Sequence, residues 1–398
     1  MTVQTLDDLL AAPGGVRGRR VFVRADLNVP LKAGVVGDDT RIRASLGTLR
    51  RLLAGGARVV LASHLGRPKG GPSAELSLAR VAERTSELLG RRVAFCPHTI
   101  GAEAQAAVGK LGDGEILLLE NLRFDPREEK NDPAFARALA ALADDYVNDA
   151  FGTAHRAHAS TAGIVPFVER AAAGDLLRDE VKHLQVVREP ARPLLCLLGG
   201  AKVSDKLAVL EALAPHADVL AIGGAMAFTF LRALGQPTGA SLVEAERVED
   251  AKRVIAAAEQ AGRTLLLPTD HVIAQKLAAD APARVVETLP DGWMGLDIGP
   301  ATAKRYAEEA ARARTIFWNG PMGVFELDAF CKGTEAVARA VASSSAHSVV
   351  GGGDSLAAIN KLGLGEKIGH LSTGGGASLE FVQGLVLPGV AALEGRKS

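Results

Sequence analysis

Along most of this chain, short β-branched runs alternate with longer Ala- and Leu-rich stretches of helical period, and that alternation leaves few architectures open. Strands separated by helices imply parallel sheets covered on both faces, hence an α/β protein. Strands are expected at 21–24, 58–62, 92–95, 116–120 and 146–148, and then at 194–198, 219–222, 264–267, 315–318, 348–350 and 368–371. At 398 residues the chain is too long for one ordinary core, so two or three domains are expected. Between the two series, residues 175–189 carry apolar side chains at near-helical spacing (Leu176, Leu177, Val181, Leu184, Val187) and stop at Pro190 and Pro193. That segment reads as a helix joining two domains, with Asp175 as its N-cap, although an ordinary surface helix would show the same pattern.

Ligands of parallel sheets bind beyond the carboxyl ends of the strands, so the residues after each strand carry the functional signal. In the second half one device occurs twice: an apolar run, a glycine turn and a helix, at Gly351-Gly352-Gly353-Asp354-Ser355 and at Gly374-Gly375-Gly376. Glycines let backbone N–H groups approach a ligand, and a helix start adds partial positive charge, so the pair suits phosphate. Asp354 in the first turn suggests an accompanying cation. Upstream, Gly199-Gly200 precede Lys202 and Lys206, read as sharing one face at the start of a helix. Two cations at the positive end of a helix are unfavourable unless a polyphosphate sits there. Gly223-Gly224-Ala225 can admit a flat base, and Asn319 or Glu326 can hold ribose hydroxyls. Taken alone, the last two segments read equally as plain turns, and solvated lysines are the alternative for Lys202 and Lys206.

The first half has polar strand ends instead. Asp26 and Asn28 follow the first strand, with Arg41 further on; His64 and Arg67 follow the second. Arg123 follows the strand at 116–120, and His155 and Arg156 follow the one at 146–148. An arginine–histidine basin with one Asp and one Asn suits a small phosphorylated carboxylic acid bearing hydroxyls.

Bulk properties exclude other classes. Lys+Arg and Asp+Glu both number 46, so no basic excess points to nucleic acid. Three scattered cysteines (Cys96, Cys196, Cys331) fit neither a disulfide frame nor a metal motif. The N-terminus does not resemble a signal peptide, and no apolar run approaches the roughly 20 residues of a membrane helix. A soluble cytoplasmic protein is expected. No Walker A loop, protein-kinase catalytic motif or completed dinucleotide fingerprint is present. A two-domain dehydrogenase and a two-lobed binding protein remain the competing readings. The first lacks its fingerprint; the second leaves Lys202, Lys206 and Asp354 without a purpose.

The segments 21–30, 63–68, 149–158, 199–206, 318–326, 351–355 and 372–378 together resemble, in order, the signatures of the phosphoglycerate kinase family. The resemblance extends from Val21 to about Leu393. It implies two Rossmann-like three-layer domains with parallel sheets, at 1–174 and 191–383, joined by an interdomain helix at 175–190. Residues 384–398 would return to the first domain. It also implies a monomeric, Mg²⁺-dependent enzyme of glycolysis moving a phosphoryl group between 1,3-bisphosphoglycerate and ADP. Asp26, Leu27, Asn28, Arg41, His64, Leu65, Gly66, Arg67, Arg123 and Arg156 would bind the glycerate. Gly200, Lys206, Gly224, Asn319, Pro321, Glu326, Gly352, Gly353, Asp354 and Ser355 would bind the nucleotide, with Asp354 toward the metal. Arg41, Lys202 and the Gly374-Gly375-Gly376 turn would meet the phosphoryl group. Two departures stand out: Ala225 where the family has glycine, and Ser355 where it has threonine.

Overall fold

Two compact units emerge in a computed structural model that describes residues 3–32, 34–68 and 71–394. The first contains the described residues up to Lys182 together with those from Val386; the second is His183–Leu385. The expected termini at 1 and 398 lie outside the described residues.

In the first unit the elements run α1 (Leu6–Ala11), β1 (Arg20–Ala25), β2 (Leu31–Lys32), β3 (Val35–Val36), α2 (Thr40–Ala54), β4 (Arg58–Ala62), α3 (Ala79–Leu89), β5 (Ala94–Cys96), α4 (Ala102–Gly109), β6 (Ile116–Leu119), α5 (Pro133–Ala140), β7 (Asp145–Asp149) and β8 (Arg170–Ala173). The chain then enters α6 (Asp175–Arg188), within which it passes to the second unit. Six strands form one parallel sheet in the order β5-β6-β4-β1-β7-β8. Burial on both faces explains the continuous apolar runs of β4 and β6. On one face Val21, Val23, Val59 and Leu61 pack with Leu49 and Leu52 of α2; on the other Phe22 stacks on Tyr146.

The second unit continues with β9 (Leu194–Leu198), α7 (Leu207–Leu213), β10 (Val219–Ile222), α8 (Met226–Ala233), α9 (Val248–Gln260), β11 (Thr264–Leu266), β12 (His271–Ala274), β13 (Arg284–Val286), β14 (Met294–Ile298), α10 (Pro300–Arg312), β15 (Thr315–Asn319), α11 (Lys332–Ser343), β16 (His347–Gly351), α12 (Gly353–Lys361), β17 (His370–Ser372) and α13 (Gly376–Val382). Its parallel sheet has the order β11-β10-β9-β15-β16-β17. Trp318, Leu195 and Leu197 pack with Tyr306 of α10 and Val337 of α11. The buried Tyr306 hydroxyl donates to Ile222 O at 2.7 Å, tying α10 to the end of β10.

The chain closes with α14 (Pro388–Ala391) in the first unit. Gly389 N donates to Ala154 O at 2.8 Å, and a Cβ at Gly389 would lie 3.0 Å from Ala154 Cα. Only glycine permits that approach.

The amino ends of the two sheets are pinned alike. Asp145 at the start of β7 is buried and gripped by Arg19 and Arg170, each at 2.6 Å. Asp218, just before β10, pairs with Arg192 at 2.8 Å and Arg263 at 2.7 Å. Charges at these ends are consumed by structure, which leaves the carboxyl ends for chemistry.

Several expectations need correction. The strand expected at 368–371 starts at His370, because Gly369 N is held by the Ser348 hydroxyl at 2.9 Å. Strand β8 was missed, since its three alanines carry no strand propensity and pairing with β7 makes it a strand. The antiparallel sheet β13-β12-β14 was missed too, its strands being only three to five residues long. Asp175 is the first helical residue of α6 rather than its N-cap, and its carboxylate pairs with Arg51 at 2.6 Å. The cap comes from a distant residue: Asp149 Oδ1 accepts from Leu176 N at 3.0 Å.

Candidate active site

The basin of the first unit lies where β6, β4, β1 and β7 stand side by side, so four chain-distant loops meet at one sheet edge. Strand β1 hands over directly to Asp26, Leu27 and Asn28. Asp26 is nearly buried and accepts from Arg41 Nη1 at 2.8 Å. Leu27 N donates to the Ser63 hydroxyl at 2.9 Å, and Gly66 N donates to Asn28 Oδ1 at 2.8 Å. These bonds cross between the β1 and β4 loops. The β6 loop is tied in by Asn121, whose Oδ1 accepts from Leu65 N at 3.1 Å and whose Nδ2 donates to Leu65 O at 2.8 Å. Arg123 follows, donating from Nη1 to Gly66 O at 2.9 Å with Nε 3.1 Å from Glu129. Arg67 and Arg156 are exposed. Among the described residues Arg67 meets no polar partner, whereas Arg156 donates to His155 Nε2 at 3.2 Å. The expected basin residues therefore gather at one edge.

Beneath them lies a buried relay that the strand-end pattern does not reveal. Arg24, fully buried at the end of β1, donates from Nε to Ser160 Oγ at 2.8 Å. That hydroxyl donates to Glu128 Oε1 at 2.5 Å, and Ser160 N donates to Oε2 at 3.0 Å. Burial raises the pKa of Glu128, with Arg24 pulling the other way. Arg24 Nη2 lies 3.2 Å from His64 Nδ1. A guanidinium only donates, so Nδ1 must accept and the proton sits on Nε2. Burial first, then the surrounding arginines, hold His64 well below its ordinary pKa. The ring is a neutral Nε2–H donor. His158 is pushed down to about 4 by burial and by Arg123. The one legible signal for the relay was a charged residue, Arg24, inside an apolar strand.

The second unit builds its edge from backbone. After β9, Gly199 N donates to Asn319 O at 3.0 Å and Gly200 N to Pro321 O at 3.1 Å. A Cβ at Gly199 would sit 2.7 Å from Gly320 O, so the two loops touch through bare backbone. Gly224, at φ +67°, donates to Met322 O at 2.9 Å, and a Cβ there would lie 2.6 Å from Gly200 N. Glycine is required at both positions.

Helix α7 begins at Leu207, later than expected, so Lys202 and Lys206 do not share a helix face. Lys202 lies in the exposed loop before it. Lys206 Nζ donates to Asn319 O at 3.1 Å and to Asn319 Oδ1. Burial lowers its pKa to about 8, while Asp354 opposes the shift.

Helices α12 and α13 both start on positive-φ glycines, Gly352 (+92°) and Gly375 (+56°), with no side-chain cap on their first amides. Gly353 and the exposed Asp354 form the first turn of α12, and Gly374 precedes the start of α13. The Ser355 hydroxyl is buried and accepts from Gly320 N at 2.6 Å. Its place is thus partly structural.

A cavity of about 360 Å³ opens at this edge, lined by Gly200, Gly224, Ala225, Pro321, Glu326 and Asp354. Its far wall, Met294, Gly295 and Leu296, comes from β14, part of the sheet the sequence did not reveal. Glycines on one wall and apolar side chains on the other suit a flat heterocycle with a polar, phosphorylated end. Among the described residues no cluster of three His, Cys, Asp or Glu can hold a metal. A divalent ion here would rest on Asp354, phosphate oxygens and water, the donor set that suits Mg²⁺.

Comparison with known proteins gives one answer. The family model described as phosphoglycerate kinase matches residues 12–385. Phosphoglycerate kinase of Moorella thermoacetica is 56% identical over 396 residues, covering 99% of both chains. That of Synechococcus elongatus is 52% identical over 401 residues, again covering 99% of each. Among solved structures, phosphoglycerate kinase from Coxiella burnetii matches with a TM-score of 0.89 at 40% identity, over 98% of this chain and 99% of the other. The Pyrococcus horikoshii enzyme matches with a TM-score of 0.82 at 34% identity, over 98% of each.

Proposed function

The chain belongs to the phosphoglycerate kinase family and is a phosphotransferase with a carboxyl acceptor; from that premise we propose that its two strand-end sites divide one reaction between them. The basin of the first unit takes 3-phosphoglycerate or its acyl phosphate. Arg123, Arg67 and Arg156 hold its phosphate, and Asp26 and Asn28 hold its hydroxyl. The cavity of the second unit takes ADP or ATP, with Glu326 on the ribose and the Gly352–Ser355 turn on the phosphates. Lys206 and the Gly374–Gly376 turn lie on the phosphate side. Bound magnesium, carried by Asp354 and the nucleotide, would neutralise phosphate charge.

In the ATP-forming direction a β-phosphate oxygen of ADP attacks the acyl phosphate phosphorus. The bond from that phosphorus to the carboxyl oxygen breaks, and the electron pair leaves as carboxylate. No proton moves, because a carboxylate with pKa near 4 is ionised at pH 7. This accounts for two sites rich in donors, with no nucleophile–base pair among the described residues that line them. Catalysis is therefore alignment and charge neutralisation. Arg41 and Lys202 supply the moving PO₃ unit with positive charge from opposite units, which requires the units to close on each other and also keeps water from the acyl phosphate.

The observation that supports this reading is the family match across nearly the whole chain, together with the glycine turns and Arg67, Arg123 and Arg156 in the segments that follow parallel strands. A coupled assay of acyl phosphate plus Mg-ADP should yield ATP, lost on chelation. Phosphate release without ATP would mean hydrolysis and would overturn it. Small-angle scattering should show compaction only with both substrates present.

A further inference from the structure

A second and larger cavity in the second unit, about 570 Å³, has no part in the proposed transfer. It is a trough between α10, α11 and the antiparallel sheet. Its floor is apolar: Val272 of β12, Ile298 of β14, Ala303 and Ala307 of α10, and Ala336 of α11. The trough exists because α10 and α11 carry alanine where larger side chains would close a helix–sheet junction.

Three cations line it, Arg284, Lys304 and Lys332, and no carboxylate does. Lys304 is exposed and has no ion-pair partner among the described residues. Lys332 shares Glu335 at 3.0 Å, and Glu335 is already held by Arg339 at 2.8 Å. Arg284 lies over the Trp293 ring at 3.9 Å, a position it can leave. The helix starts beside the trough do not supply the anion site. Asp270 accepts from Ala301 N at 2.9 Å and Asp297 from Gly333 N at 2.6 Å, so those amides are spent. The lysines and arginine are the anchors.

We propose that this trough binds an amphipathic anion, a medium-chain aliphatic carboxylate, with its chain on the alanine floor and its head among Arg284, Lys304 and Lys332. The volume lies within the range of small-molecule sites, and an apolar body with a single anionic head matches both features. Strand β14 runs between the two cavities: Met294–Leu296 line one, and Ile298 lines the other. Occupancy of the trough is thus placed to be felt at the strand-end cavity, and by linkage the effect is reciprocal.

The test is calorimetric titration of the full chain with decanoate, octanoate and decanol, with Trp293 fluorescence as a second signal. Expected are one saturable site for decanoate and affinity falling about fourfold per methylene removed. Decanol should bind at least tenfold more weakly. Lys304→Glu should weaken decanoate by about tenfold without changing decanol. Ala307→Trp, which fills the trough from a helix surface, should abolish binding while the far-UV spectrum stays native. Equal binding of decanol and decanoate would overturn the proposal. So would decanoate binding that survives Ala307→Trp. A concentration-dependent dimer that decanoate dissociates in sedimentation would do the same, assigning the trough to a second copy of the chain.

Discussion

The two units share one sheet architecture and one pinned amino end, yet furnish the opposite edge with different materials. The first uses side chains. Guanidinium and imidazole groups come from three strand-end loops and from Arg41 of α2, held by the buried Arg24–Ser160–Glu128 relay and by Asn121. The second uses backbone: glycines at 199, 200 and 224 let amides and carbonyls of neighbouring loops touch, Gly352 and Gly375 open α12 and α13, and Lys206 is clamped on Asn319. A side-chain site is rigid only if its charges are locked from below. A backbone site is rigid only if no side chain intrudes.

The largest effect should come from unlocking the first site. Glu128→Leu leaves Arg24 buried without its carboxylate, at a cost of about 3–5 kcal/mol. Both tryptophans, Trp293 and Trp318, lie in the second unit. Circular dichroism should therefore show an early transition that tryptophan fluorescence does not. Coincident early transitions would mean the units do not melt separately.

Next, Lys202→Ala should lower kcat about 10²- to 10³-fold with little change in either KM. Arg41→Ala should leave ADP affinity by calorimetry unchanged. A Lys202 loss confined to KM would reassign it to plain binding.

Gly224→Ala tests the backbone site. Its Cβ meets fixed main chain at a positive φ, which should cost about 1–3 kcal/mol and most of the nucleotide affinity. Retained ADP binding would show the loop can yield.

The last test is in pH. Burial raises Asp149 from 3.8 to about 7. Between those values the folded chain binds one more proton than the unfolded one, so this group's contribution is largest below the unfolded pKa and declines as pH rises toward 7. Asp149→Asn keeps an oxygen for the Leu176 amide and removes the titration. Its stability should gain on the parent by about 1.4 kcal/mol per pH unit across pH 4–7. Parallel curves would place the Asp149 carboxyl in contact with water.

The same contrast governs what was legible. Glycine turns and strand-end arginines announce themselves because turn geometry and charge at a strand end are local. The sequence puts Lys206 on a helix face shared with Lys202, whereas it lies just before the helix, since nothing local marks the later start of α7. Glu128, Ser160 and Asn121 were missed; each looks like an ordinary loop residue until a crossover of tens of residues brings it under the basin.

From sequence alone came the α/β alternation, the strand runs, the glycine turns and the family signatures, all properties of near neighbours in the chain. Tertiary structure alone decided that Asp149 caps α6, that Arg24 fixes the His64 proton on Nε2, and that β14 walls one cavity and edges another. Parallel sheets join residues far apart in the chain, and burial sets the charge state of what they join. Neither non-local pairing nor desolvation leaves a periodic trace in the residues themselves.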